Sequence, residues 1–230
     1  MKSNEPVVSD TVEKLPSPAV VSSPVILAAV VLFISLQFNF ASFLVADDQF
    51  HGLIAQEGVY WAAVVVLCVF VRWIERLPFS SVGLARFTSM SLLFGTGAAI
   101  VTVAGMAWLY LDVFPALHLA ADAAETGKIV ALPVWFRLAL ITRAAIFEEL
   151  LYRGFGIERI AQLLRNRWVA AGISLAAFTF VHISYWGMGA HLIIVGFGGL
   201  VLTLLYLWRR DLWANILAHF LTDVAGFLLT

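Results

Sequence analysis

Apolar runs long enough to cross a bilayer recur along the chain, separated by short polar stretches. Residues 1–23 are polar and rich in Pro and Ser, and read as a disordered cytoplasmic tail. No Asp, Glu, Lys or Arg occurs from Leu15 to Ala46. The apolar part of that run, residues 25–46, is longer than a signal-peptide core of ~7–15 residues and no A-x-A site follows it, so a retained anchor helix is expected rather than a cleaved signal. Further spans are predicted at 53–71 and 89–111. Residues 130–151 are apolar but carry Arg137, Arg143, Glu148 and Glu149. From Trp168 to Trp208 no charged residue appears, which is room for two helices, with Gly187 and Gly189 offering the turn. The last span starts at Leu212. At ~20 apolar residues per span, the pattern predicts an all-α fold: a polytopic transmembrane bundle of about seven helices. Residues 24–230 form a single transmembrane domain without an internal repeat.

Composition supports that class. Of 230 residues, 62% are hydrophobic and 13% charged, half the ~25% of a soluble domain, and mean hydropathy is +0.94. A soluble protein this apolar could not cover its surface. With 14 Lys+Arg against 15 Asp+Glu the net charge is −1, so no basic field exists to attract a nucleic acid. The single cysteine, Cys68, excludes an intrachain disulfide and a Cys-based metal site.

Loop charges alternate in sign. Lys2 and Lys14 precede the first span, and Asp47 and Asp48 follow it. Arg72, Arg76 and Arg86 follow the second; Asp112, Asp122 and Glu125, against one Lys128, follow the third. Arg153, Arg159, Arg165 and Arg167 follow the fourth, and Arg209 and Arg210 the sixth. The positive-inside rule then puts the N-terminus in the cytoplasm and the C-terminus on the far side of what is expected to be the cell (inner) membrane.

Ionisable residues inside membrane helices are costly and mark function by default. Glu148 and Glu149 lie in the fourth span, with Arg153 four residues after Glu149 and on its face. Glu148 points about 100° away from Glu149, so one carboxylate can be held by Arg153 while the other faces a cavity; two glutamates snorkelling at the interface are the plainer reading. His182 lies in the fifth span, where, for this residue alone, a histidine bonded to a neighbouring helix is the stronger reading. His191 reads as interfacial. In the last span Asn215, His219 and Asp223 are spaced four and four and form one stripe, a site or a polar packing seam. Together these supply a general base, polarising groups and hydrogen-bond donors, the parts of a hydrolase that activates water. H-E-x-x-H, G-x-S-x-G, G-x-S-G and G-x-G-D are all missing, so water, not serine, is the candidate nucleophile.

The order E-E-x-x-x-R, F-x-x-x-H, H-x-x-x-N/D, here Glu148-Glu149…Arg153, Phe178…His182 and His219…Asp223, resembles the CPBP family, the type II CAAX prenyl endopeptidases and their bacterial relatives, also called the ABI family. The contexts 147–154 and 212–219 are similar as well. The likeness covers residues 130–230, the expected catalytic core. It implies a glutamate intramembrane endopeptidase acting on membrane-associated protein or peptide substrates, without a cofactor. Glu148 would activate water and His182 hold it, Glu149 and Arg153 would be the supporting pair, and His219 and Asp223 would stabilise the oxyanion. The best-known members carry Asn at the last position. Asp223, if ionised, would repel an oxyanion, and donates only when protonated. Two alternatives remain: a zinc protease using Glu148, His182 and His219, or a non-catalytic scaffold or immunity protein. One spacing conflicts with the site: Glu148 is expected near the end of its helix, whereas His182 is 14 residues past Trp168, about 21 Å along a helix.

Overall fold

The structure, a computed structural model, describes residues 22–37, 50–119, 124–183 and 189–229. Among these the fold is all-α. Its eight helices are α1 (Ser23–Ser35), α2 (Phe50–Ile74), α3 (Ser89–Ala116), α4 (Ala124–Val130), α5 (residues 134–164), α6 (Arg167–Val181), α7 (Ala190–Arg209) and α8 (Leu212–Phe227). The sequence predicts about seven; the additional one is the short α4. The expected tail falls outside the described residues up to position 21, and α1 begins at Ser23. Residues 38–46 of the expected first span, and Gly187 of the expected turn, also lie outside them.

α2, α3 and α7 are long and apolar enough to cross a membrane. Their outer faces leave Trp73, Leu93 and Ile100 exposed, a surface that lipid covers and water does not. The protein is a membrane protein.

Helix ends follow local chemistry. Thr88 and Ser91 form a capping box at the start of α3. Asn166 caps α6, accepting from the Trp168 and Val169 amides. Asp211 caps α8 and also accepts from Ser91 Oγ at 2.6 Å, tying the starts of α3 and α8 together. Each such cap contributes ~1 kcal/mol. The connections from α5 to α6 and from α7 to α8 are short, turned by Arg165 and Arg210 in the left-handed region, at φ 53° and 51°.

α5 departs most from the pattern that the sequence predicts. The sequence suggests a span over 130–151, with Arg153 and Arg159 in the following loop. Instead the helix starts after Pro133 and runs to Leu164. It is α-helical over Val134–Glu148, π-helical over Glu149–Ile157 and α-helical again over Glu158–Leu164. Charges in its last third look like loop residues but are neutralised across the bundle. Arg159 makes a two-pronged pair with Glu75, both contacts at 2.6 Å, and both side chains are fully buried. Glu158 pairs with Arg210 at 2.8 and 2.6 Å. Gly154 lets the turn Phe79–Val82 approach, since a Cβ there would meet the Val82 carbonyl at 2.7 Å.

This length removes the depth conflict. Residues 149–164 continue past Glu148, about 24 Å at the α-helical rise. α6, running back over 15 residues, covers ~23 Å and brings His182 level with Glu148. The core beside them is aromatic: Phe155 packs edge-on against Phe70, and Tyr152 against Phe33 and Phe178.

Candidate active site

The centre of the site is Glu149, the first residue of the π-helical segment and fully buried. π-helical turns, which bond i to i+5, recur at functional sites. Arg153 Nη1 donates to Glu149 Oε1 at 2.7 Å, and Arg153 Nη2 to the Gly199 carbonyl at 3.0 Å. Asn215 Nδ2 donates to Glu149 Oε2 at 3.1 Å and to the Leu202 carbonyl at 2.7 Å. His219 Nδ1 lies 2.9 Å from Glu149 Oε1. A carboxylate only accepts, so this nitrogen carries the proton. Glu149 is therefore held from α5 itself and from α8, while Arg153 reaches α7.

Glu148 faces the other way, into a cavity of about 960 Å³. One of its oxygens lies 3.9 Å from His182 Nε2 and 3.9 Å from His219 Nε2. Asp223 Oδ2 is 3.6 Å from the same His219 nitrogen. His182 caps α6: its Nδ1 lies 2.7 Å from the Phe178 carbonyl, one of the last-turn carbonyls that a helix leaves without partners. A carbonyl also only accepts, so Nδ1 is protonated and Nε2 is turned to Glu148. This explains the F-x-x-x-H spacing, because the ring reaches the carbonyl one turn back. The Phe178 ring itself lies under the Arg153 guanidinium, 4.3 Å from its centroid. α6 is docked on the π-helical segment by Ser174 Oγ, which donates to the Tyr152 carbonyl at 2.6 Å.

Residues 130–225 match the family model described as type II CAAX prenyl endopeptidase Rce1-like. This part of the chain is similar to that family. No curated protein and no solved structure matches the chain. The matched residues take in α5, α6, α7 and most of α8, the helices that supply Glu148, Glu149, Arg153, His182, His219 and Asp223.

Several participants are not visible in the motifs. Asn215 shares the stripe of His219, but its bond to Glu149 crosses between helices. The Gly199 carbonyl has no side-chain signal, although a Cβ at Gly199 would meet Phe178 at 2.8 Å. His191 lines the same cavity rather than standing apart from it. Glu57 of α2, a lone acid in an apolar run, lines it together with Arg143. A zinc site needs three donors within ~2.2 Å of one ion; among the described residues no three His, Cys, Asp or Glu side chains are so grouped.

Proposed function

We propose that the protein is a multi-pass intramembrane endopeptidase in which Glu148 activates a water to cleave membrane-associated protein or peptide substrates. The observation that carries this reading is the convergence of Glu148 with the Nε2 atoms of His182 and His219, each at 3.9 Å, on the wall of a cavity of about 960 Å³. Those separations leave room for one water donating one hydrogen to the Glu148 carboxylate and the other to the His182 Nε2 lone pair.

Glu148 removes a proton from that water as its oxygen bonds to the substrate carbonyl carbon. The carbonyl oxygen becomes an oxyanion, which His219 in its protonated form meets with Nε2–H and Asp223 with its acid hydrogen. The C–N bond then breaks, and the proton held by Glu148 passes to the leaving amine. Glu149, Arg153 and Asn215 touch no reacting atom; they hold His219 and the floor of the site. The similarity of residues 130–225 to the Rce1-like family supports protease chemistry of this kind.

The alternation of loop charges supports an N-terminus in the cytoplasm of a cell (inner) membrane, with the Arg165–Arg167 end of the bundle on that side. The test of the function is cleavage by purified protein in lipid nanodiscs, read by mass spectrometry against a library of membrane-segment peptides. Products are expected from the wild type and none from Glu148→Gln. Equal product from both would refute the reading.

A further inference from the structure

The cavity that Glu148 faces has a second charged pair on its wall, outside the cluster described above. Arg143 of α5 meets Glu57 of α2: Nε lies 3.1 and 3.0 Å from the two Glu57 oxygens, and Nη2 lies 2.6 Å from one of them. The guanidinium stacks on the Tyr60 ring, 4.3 Å from its centroid. The side chains of Arg143 and Glu57 are only 10% and 13% exposed. Withdrawing two charges from water costs more than their attraction reliably returns. Joining α2 to α5 does not require it, because Tyr60 already packs on Phe147 there.

The guanidinium also has a donor left over. Glu57 uses Nε and Nη2, whereas among the described residues Nη1 has no hydrogen-bond partner. Nor is Nη1 sealed inside the protein; Arg143 lines the cavity. Arg143 precedes Glu148 by five residues within the α-helical part of α5, about 7.5 Å along the axis. An extended peptide advances ~3.3 Å per residue, so that distance corresponds to about two residues of bound chain. Such a chain, in a cavity with a largely apolar lining, needs a donor for each carbonyl it buries.

We propose that Arg143 binds the substrate chain, its Nη1 donating to an oxygen about two residues from the bond cleaved beside Glu148, either a backbone carbonyl or a terminal carboxylate. Glu57 and Tyr60 hold the guanidinium in place. The position of the oxygen rests on the reading of Glu148 given above; the binding itself does not.

The experiment uses full-length Glu148→Gln protein in nanodiscs and a dansyl-labelled apolar hexapeptide, as the free acid and as the C-terminal amide, with Kd read by fluorescence anisotropy. Adding Glu57→Gln and Arg143→Met together removes both charges, so neither is left buried alone. This is expected to weaken binding by about 10- to 100-fold. If the oxygen is the terminal carboxylate, the free acid loses more than the amide; if it is an internal carbonyl, both lose equally. Arg143→Lys, which keeps the charge without the fork, is expected to weaken binding as well and carries the test should the double change not fold. Unchanged Kd values, or no binding of either peptide, overturn the proposal. Cleavage of the same peptides by protein with Glu148 intact separates the two readings: peptide that depends on Arg143 for binding but is never cut refutes the protease and leaves this site standing.

Discussion

His219 is held by Glu149: Nδ1 of the ring lies 2.9 Å from the carboxylate, which turns Nε2 towards Glu148 at 3.9 Å. The two neighbouring glutamates thus serve the two nitrogens of one imidazole. Glu149 also accepts from Arg153 and Asn215. Glu149→Gln leaves Arg153 buried without its counter-charge, and truncating one partner of a buried pair costs about 3–5 kcal/mol. Lower thermal stability and lower activity are expected together. Asn215→Ala, which removes a neutral donor, should cost about 1–3 kcal/mol. Wild-type melting of Glu149→Gln in nanodiscs would show that the carboxylate is not the keystone described here.

Glu148 behaves differently. Among the described residues its carboxylate makes no hydrogen bond, and its side chain is 17% exposed, facing the cavity. The isosteric Glu148→Gln should therefore melt with the wild type while turnover disappears. A large drop in melting temperature would mean that Glu148 supports the fold, and the loss of activity could then not be assigned to chemistry.

Asp223 has two candidate roles, donor to the oxyanion or carboxylate that sets the tautomer of His219. The geometry favours the first, because Glu149 already occupies Nδ1, whereas Asp223 lies at Nε2, 3.6 Å away. Asp223→Asn, whose amide donates at any pH, should retain activity, and the basic limb of its pH–rate profile should shift to that set by His219 alone. Asp223→Ala should fall by about 10²–10³ in kcat, as expected for a lost oxyanion donor. A loss of activity in the Asn variant as large as that of Asp223→Ala would return Asp223 to the second role.

Gly199 is where α7 passes the Phe178 ring. An added Cβ would sit 2.8 and 2.9 Å from two ring carbons, pushing the ring that underlies Arg153. Gly199→Ala should cost about 1–3 kcal/mol by overpacking and lower activity through Arg153, whereas Gly97→Ala, with open space around it, should leave both unchanged. Thermal melts and a cleavage assay on the pair check this.

Arg159 has the look of a loop cation and the surroundings of a core residue. Arg159→Ala strands Glu75 in a fully buried position, and a loss of about 3–5 kcal/mol is expected. The double change Arg159→Met with Glu75→Leu should recover most of it. An Arg159→Ala protein as stable as the wild type would place that pair in contact with water.

Much of the site was legible because helical spacing alone decides which residues share a face. Glu149 with Arg153, and Asn215 with His219 and Asp223, follow from a separation of four. The division of labour between Glu148 and Glu149 follows from their being neighbours. Less legible were Glu57 and Arg159. A lone acid in an apolar run and an arginine beyond the last apolar residues of a span carry no signal of their own; each makes sense only beside a partner 86 or 84 residues away. The end of α5 is illegible for the same reason, since a charged stretch reads as a loop until its counter-charges are seen.

The sequence by itself determined the all-α class, the long apolar helices α2, α3 and α7 and the three motifs, because these depend on composition and on separations within one helix. Only the tertiary structure decided how deep Glu148 sits, that Glu149 rather than Asp223 holds His219, and that Arg143 meets Glu57 on the same cavity. Those facts depend on how far α5 extends and on distances between helices, and both are set by pairings of charges that lie far apart in the chain.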